Sequence, residues 1–497
     1  MPVLSPRRYQ PPFYPVRQDD ISLWVKAITA SERSFKGFVW GCRMCGNCLL
    51  QETAFVCPLT CPKGLRNGLC GGASAEHCEV DPSRPCTWYM IYSRAERLGM
   101  LDKLLEVNAP IDGSRAGREQ WLDLIRFYLE RKQGPNPIHF ITDRQRFNRE
   151  WDQFFYDLRQ PDWWQGDAEY HPAAYDEPAS FLEASLRTGR FVVTAEIAPP
   201  LGASGNIIQK KVGWLSGYVT AANFTDNASA SARMNSLASS HMCLEAGIEP
   251  VMQLQTRDRT RTVLQSDAMG AAGLGIRNIL CLSGDHHRFG PDPIAKPDQF
   301  DMDAVQLIWM LRRMRDEHIY LDGRKIKKPP MFFLGAAGSP YGALPKYEAI
   351  RAEKKVNAGA QFIQTQPVFD YDRFVIWLEA LDKRNLLDKV YVLAGIVPLK
   401  SANAAHFMAG DVPGVMIPEE YIRRMDQAGD KEGQQEVGVE IALEIIEKLK
   451  GTPGIAGIHM MAVHWEDIVP RLVTEAGLPL PMPQETPSVP ETADVGA

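Results

Sequence analysis

The stretch "FVVTAEI" at 191–197 decides the fold. It is β-prone and almost wholly uncharged, with one carboxylate, Glu196, near its end. A strand buried on both faces reads this way. Seven comparable runs follow: "YVTAANFT" (218–225), "PVMQLQT" (250–256), "NILCLSG" (278–284), "MFFLGAA" (331–337), "FIQTQPVF" (362–369), "YVLAGIV" (391–397) and "IAGIHMMAV" (455–463). Helix-prone segments such as "DAVQLIWMLRRMRDE" and "KYEAIRAEKKVNAGA" separate them. Strands alternating with crossover helices over 180–477 predict an α/β fold, a (β/α)8 TIM barrel, with an open doubly wound sheet as the alternative. Residues 418–450 read as extra helix before the eighth strand.

A barrel gathers its chemistry at the C-terminal strand ends. Taken in order, those ends offer Glu196, then Thr225, Asp226 and Asn227, then Gln253 and Gln255. Asp285 follows in "LSGD", Gly335 and Ser339 flank the fifth end, Gln366 lies in the sixth strand and His464 follows the eighth. Adjacent His286 and His287 point apart on most backbones and make a poor metal site. "GAAGLG" (270–275) leads from a helix into a strand, the reverse of a dinucleotide fingerprint, and reads as helix termination.

Outside the barrel the composition changes. Eight of the ten cysteines, Cys42, Cys45, Cys48, Cys57, Cys61, Cys70, Cys78 and Cys86, fall in one short stretch. Eight thiols make two sets of four. "CRMCGNC" lets one loop wrap three corners of a cubane, so two [4Fe-4S] clusters are expected, with zinc as the alternative. The domains expected are 1–165 (cysteine-rich, with helices at 93–106 and 118–132 and an aromatic connector at 151–178), 180–477 (the barrel) and 478–497 (a Pro-rich disordered tail). The connector's Trp and Tyr residues are expected to pack against a neighbour.

With 497 residues and a net charge of −6, the chain has room for two or three domains and no basic footprint for nucleic acid. No apolar run reaches membrane-span length, and "MPVLSPRRYQ" lacks a secretory h-region. These features predict a cytoplasmic protein, in which clustered cysteines are metal ligands rather than disulfides. Oligomeric state is left open.

Four motifs, "AEIAPP", "LSGD", "EKKVNAGAQFIQTQPVFD" and "LAGIVP", occur in an order that resembles the methylenetetrahydrofolate reductase family. The resemblance implies a flavin-bearing barrel that reduces 5,10-methylenetetrahydrofolate to 5-methyltetrahydrofolate. It assigns catalytic roles to Glu196 as general acid, Asp285 as the charge near pterin and flavin, and Gln366 as the amide that bonds the pterin. An apolar wall beside Glu196 would favour its protonated form. Thr225, Asp226, Gln253, Ser283, Gly284, Asp285, Gly335, Lys354 and Lys355 match flavin-binding positions, the lysines through phosphate; FAD is expected, with FMN as the alternative. NADH or a redox protein would be the electron donor. Ser283, Gln253, Pro367 and Trp465 depart from frequent family residues and bear on the flavin's form and the grip on folate. Arg257, Arg259 and Arg261 could hold an acidic folate tail, or form a solvated charge run. Residues 40–100 resemble the small cysteine-rich partner protein of acetogen-type reductases, which implies electron delivery. A competing reading is a zinc–thiolate methyltransferase with a folate-binding barrel and no flavin.

Overall fold

The computed structural model describes residues 22–75, 77–118, 120–131, 134–292 and 300–482. The reading of "MPVLSPRRYQ", and that of the tail beyond Met482, lie outside them. Ahead of the barrel come α1 (Leu23–Trp40), α2 (Thr87–Arg97), α3 (Trp121–Arg131), α4 (His139–Thr142), α5 (Arg144–Arg159) and α6 (Phe181–Arg187). The barrel then runs β1 (Val192–Ile197), α7 (Gly205–Leu215), β2 (Ala221–Phe224), α8 (Ser236–Glu245), β3 (Pro250–Gln255), α9 (Arg261–Gly273), β4 (Asn278–Leu282) and α10 (Ala304–Asp316). It continues through β5 (Phe333–Gly338), α11 (Pro345–Asn357), β6 (Phe362–Pro367), α12 (Tyr371–Asp382) and β7 (Tyr391–Ile396). It finishes with α13 (Ala402–Asp411), α14 (Glu419–Gln427), α15 (Lys431–Lys450), β8 (Ile455–Met460) and α16 (Val469–Glu475). The eight strands close in sequence order, every neighbouring pair parallel. The predicted TIM barrel is therefore present, and α14 and α15 are the extra helix before β8.

The floor of the barrel is apolar and closed. Phe333 and Phe362 stack with centroids 4.9 Å apart. Leu182 and Leu186 of α6 pack into the same cluster as Val192, Ala221, Val251, Leu280 and Leu393. Burying one such aromatic ring contributes about 2–3 kcal/mol. Gly335 belongs to this floor: a Cβ there would lie 2.2 Å from the Phe362 ring, so only hydrogen fits.

Two predicted boundaries move. The helix expected at 93–106 begins earlier, at Thr87 directly after Cys86, because Trp88, Ile91, Tyr92 and Ala95 form its buried stripe. It stops at Leu98, and Gly99 turns the chain at φ +67°. The connector expected from 151 is helical up to Arg159. Trp151, Phe154, Phe155 and Leu158 repeat at helical spacing, and the Asp143 side chain accepts from Arg146 N at 2.9 Å to start α5. Part of the rest packs as expected: Trp164 is fully buried, 6.3 Å from Trp309, and its indole donates to the Val107 carbonyl, whereas Tyr170 is exposed.

The cysteine-rich stretch docks on the barrel. Asp303 caps α10 through a capping box and also accepts from Arg66 N and Asn67 Nδ2, both at 3.0 Å. Cys61, Cys86, Trp88 and Tyr92 share a hydrophobic cluster with Tyr347 and Ile350 of α11.

Candidate functional site at the barrel mouth

The strand register builds two polar layers above the floor. Thr194 pairs with His459 across β1 and β8, and Glu196 pairs with Asn223 across β1 and β2. Side chains two residues apart share a face, so Thr194 lies below Glu196 and Gln364 below Gln366. The lower layer is fully buried: Thr194, Asn223, Gln364 and His459 are at most 3% exposed. Its members satisfy one another, as buried polar groups must. Asn223 Nδ2 donates to Gln364 Oε1 at 2.6 Å, and Gln364 Nε2 donates back to Asn223 Oδ1 at 3.1 Å. Thr194 Oγ1 lies 2.9 Å from His459 Nδ1.

Glu196 stands above this layer, half-buried. Gln253 Nε2 donates to its Oε2 at 3.0 Å, and His459 Nε2 lies 3.8 Å from the same oxygen. Gln366 is half-buried at the end of β6. A register shift between Gln364 and Pro367 sets its position. Pro367 has no N–H, and Thr365 Oγ1 takes the bond from Gly395 N at 2.9 Å, so the strand bulges there without losing that bond.

Loops after β2, β3 and β4 are knitted by Arg257. Its Nη2 donates to the Asn227 carbonyl at 3.1 Å and its Nη1 to the Asp285 carbonyl at 3.0 Å. Asp285 is exposed, and its Oδ2 accepts from Ser229 N at 2.7 Å. Asp226 is buried, pairs with Arg259 at 2.6 Å and accepts from Gln255 N at 3.1 Å. Burial nevertheless pushes its pKa upward against that arginine. Arg261 holds Asp301 and the Ile111 carbonyl. The three arginines are thus structural ties, neither a solvated run nor a free grip for an acidic tail. Thr225 is 6% exposed and its hydroxyl has no partner, a donor left for a ligand at the mouth. Gly284 turns at φ +88°, and a Cβ would strike Gln255 Oε1 at 2.1 Å. Ser283 Oγ accepts from Ala304 N at 3.0 Å, which ties β4 to α10.

Not every predicted position reaches this mouth. Gly335 lies in the floor. Lys354 and Lys355 are buried in α11 rather than on a solvated face. Burial holds the Lys354 ammonium near a pKa of about 7, and Lys355 Nζ donates to the Ala337 carbonyl at 2.6 Å. His464 is an exposed turn residue at φ +60°, and the histidine inside the barrel is His459. His286 and His287 turn apart as expected: His286 Nδ1 accepts from Arg288 N, and His287 faces Asp258 at 3.6 Å.

The cysteine-rich stretch overhangs the mouth. The Gly71 carbonyl sits 2.8 Å from where a Gly414 Cβ would be, and a Cβ on Gly71 would lie 3.5 Å from Ser339 Oγ. Arg288 donates to the Val80 carbonyl. All ten cysteines are free thiols. Among the described residues no three His, Cys, Asp or Glu side chains stand close enough to hold a single metal ion. The thiols still sort into two sets by proximity. Cys57 feels Cys42, Cys45 and Cys48; Cys61 feels Cys78 and Cys86, and Cys70 feels Cys61 and Cys86. A small void is bounded by Cys42, Cys45, Cys48 and Cys57, with Lys36 and Arg66 in its wall. Burial pushes the Cys42 thiol up to about 11 and Cys61 to about 12. Beyond Cys48 a cavity of about 850 Å³ opens among α1, α3 and α5, walled by Trp40, Trp121, Trp151 and Trp163.

Fold and mouth together define a (β/α)8 barrel with a carboxylate bonded by an amide, and an imidazole 3.8 Å away, where the strands end. The chain belongs to the methylenetetrahydrofolate reductase family, whose model matches residues 181–477, more than half of its length. A second family, described as the methylene-tetrahydrofolate reductase C terminal, matches residues 24–114, ahead of the barrel in this chain. Among curated relatives, methylenetetrahydrofolate reductase 1 of Schizosaccharomyces pombe is 26% identical over 241 residues, 46% of this chain and 36% of that one. Methylenetetrahydrofolate reductase 2 of Saccharomyces cerevisiae is 24% identical over 238 residues, again 46% and 36%. The matches span little more than a third of those relatives' length. Among solved structures, an uncharacterized protein from Clostridium thermocellum that binds two copies of 5-methyl-5,6,7,8-tetrahydrofolic acid aligns at 15% identity and a TM-score of 0.41. That alignment covers 60% of this chain and 99% of that one, a likeness too slight to bear on ligand.

Proposed function

We propose that this chain reduces 5,10-methylenetetrahydrofolate to 5-methyltetrahydrofolate at the barrel mouth, with electrons delivered through the cysteine-rich stretch. The observation that carries the reading is Glu196, bonded by Gln253 and with His459 3.8 Å away, at the end of β1 in a barrel of the reductase family. A flavin bound beside it, FAD or FMN, would supply the hydride. Thr225, with its unpartnered hydroxyl, and the tight Gly284 turn suit such a ligand. Glu196 gives a proton to the leaving nitrogen of the methylene bridge, that carbon–nitrogen bond breaks, and the iminium carbon is left ready for hydride. Gln253 and His459 then face the carboxylate that remains. Asp285 offsets the cationic carbon, and the Gln366 amide offers a donor and an acceptor to the pterin edge.

Two quartets, Cys42/Cys45/Cys48/Cys57 and Cys61/Cys70/Cys78/Cys86, suit two [4Fe-4S] clusters better than zinc. One zinc draws four sulfurs to about 2.3 Å from a common centre, whereas a cubane spreads its ligands. The second quartet is the one that overhangs the mouth, beside Gly71. The first borders the large cavity, where NADH-linked or protein donors would approach.

An absorption spectrum of the purified chain, taken without oxygen, tests the whole reading. Flavin bands with a broad iron–sulfur absorption, and turnover of methylenetetrahydrofolate, are expected. A colourless zinc protein that transfers methyl groups would replace reduction with the methyltransferase reading.

A further inference from the structure

His459 is the buried group that the reaction, as described so far, does not explain. It is 2% exposed at the centre of the lower polar layer and sits on β8, opposite Thr194. The surrounding amides fix its protons. In this structure the Asn223–Gln364 pair is reciprocal and turns Gln364 Nε2, which can only donate, toward Thr194 and His459. That nitrogen lies 3.2 Å from Thr194 Oγ1 and 3.3 Å from His459 Nδ1. If it donates to Nδ1, Nδ1 accepts. If it donates to Thr194, the threonine's own O–H points to Nδ1 at 2.9 Å, much shorter than its 3.5 Å approach to the Ile458 carbonyl. By either route Nδ1 is an acceptor. The neutral ring then carries its hydrogen on Nε2, the atom 3.8 Å from Glu196 Oε2.

We propose that His459 is a positioning residue for Glu196. Its Nε2–H is aimed at the carboxyl group by the Thr194, Asn223 and Gln364 set beneath it, and it closes on that group as substrate arrives. The inference rests on the proposed role of Glu196 as acid. A distance of 3.8 Å is too long for a hydrogen bond in the unliganded site, and such bonds commonly tighten in the reacting complex. With Gln253 already donating to Oε2, that oxygen then takes two donors. The carboxyl keeps one orientation before it gives up its proton and is stabilised after.

Two substitutions separate this from a merely structural role. His459→Gln places an amide N–H2 near the Nε2 position and keeps a donor for Glu196. His459→Asn keeps polarity only on the Nδ1 side, toward Thr194 and Gln364. Both are assayed in the full chain, with flavin content read by absorbance. His459→Asn is expected to lower kcat about tenfold or more with KM for methylenetetrahydrofolate within about twofold, while His459→Gln recovers most of the loss. In a Glu196→Gln background the two variants should be indistinguishable. Equal losses in Asn and Gln, or a loss confined to KM or flavin content, overturn the proposal. If both variants unfold, Thr194→Val decides: it removes one hydroxyl and should lower kcat alone, and unchanged kcat overturns the idea. A wild-type chain that turns over no methylenetetrahydrofolate overturns the role of Glu196 and this proposal together.

Discussion

The barrel and the cysteine-rich stretch are held together in opposite ways. The barrel interior is built from strands whose side chains fill a floor of Phe333, Phe362, Leu182 and Leu186, and whose polar members satisfy each other. Between Gly41 and Cys86, among the described residues, regular structure amounts to a short 3-10 turn at Pro58–Thr60 and one isolated bridge, Ala73 to Cys78. Yet Cys45, Cys57, Cys61, Cys78 and Cys86 are buried there. Besides its packing against the barrel, a segment with so little backbone pairing would gain most from cross-links at its cysteines, which the proposed clusters supply. The contrast separates two sources of order: the mouth inherits its geometry from strand register, while on the proposed reading the overhanging stretch depends on what its thiols bind.

The largest effect should fall on the barrel side. Glu196→Gln should lower folate reduction about 10²- to 10⁴-fold and leave flavin content unchanged; wild-type turnover in that variant would remove Glu196 from the acid role. Next, stripping metal from the reduced chain with a chelator should expose residues 41–86 to protease, with cleavage mapped by mass spectrometry. The barrel should keep its thermal transition. Equal protection with and without chelator would erase the distinction drawn above.

Within the barrel, the floor is the sensitive layer. Gly335→Ala puts a methyl group against the Phe362 ring and should cost about 1–3 kcal/mol in denaturant unfolding. Gly213→Ala in α7, with no atom within 4 Å of its Cβ, should instead be stabilising by about 0.5–1 kcal/mol. The last effect is a pH slope. Burial holds Lys354 near a pKa of about 7 in the folded chain, against 10.5 as its ordinary value. Between those values the unfolded chain binds the extra proton, so stability rises with pH; below them both states carry it and the penalty is complete. Lys354→Met should flatten that slope by no more than about 1.4 kcal/mol per pH unit, measured as the difference from wild type between pH 7 and 9.

Much of this was legible in the residues. Parallel strands buried on both faces leave apolar runs closed by Gly, Pro or a polar residue, which is why the eight runs match the eight strands within a few positions. Glu196 stood out as the one charge in its run. His459 did not: inside "IAGIHMMAV" a lone histidine looks like a buried core residue. The usable signal was that Asn223, Gln364 and His459 are polar groups within buried strands and must therefore find one another. The depth of Gly335 and the burial of Lys354 and Lys355 depend on strand tilt and on the docking of α11 against the cysteine-rich stretch. Neither leaves a trace in local periodicity.

The α6 plug has a kinetic corollary. Leu182 and Leu186 pack into the far end, so among the described residues the barrel opens at its mouth, and the Gly71 loop hangs across part of it. On the proposed reading, folate crosses that threshold while the donor unloads at the cavity beside Cys48, the two half-reactions linked by electron transfer alone. Reciprocal velocity plots at several fixed donor concentrations should then run parallel instead of converging.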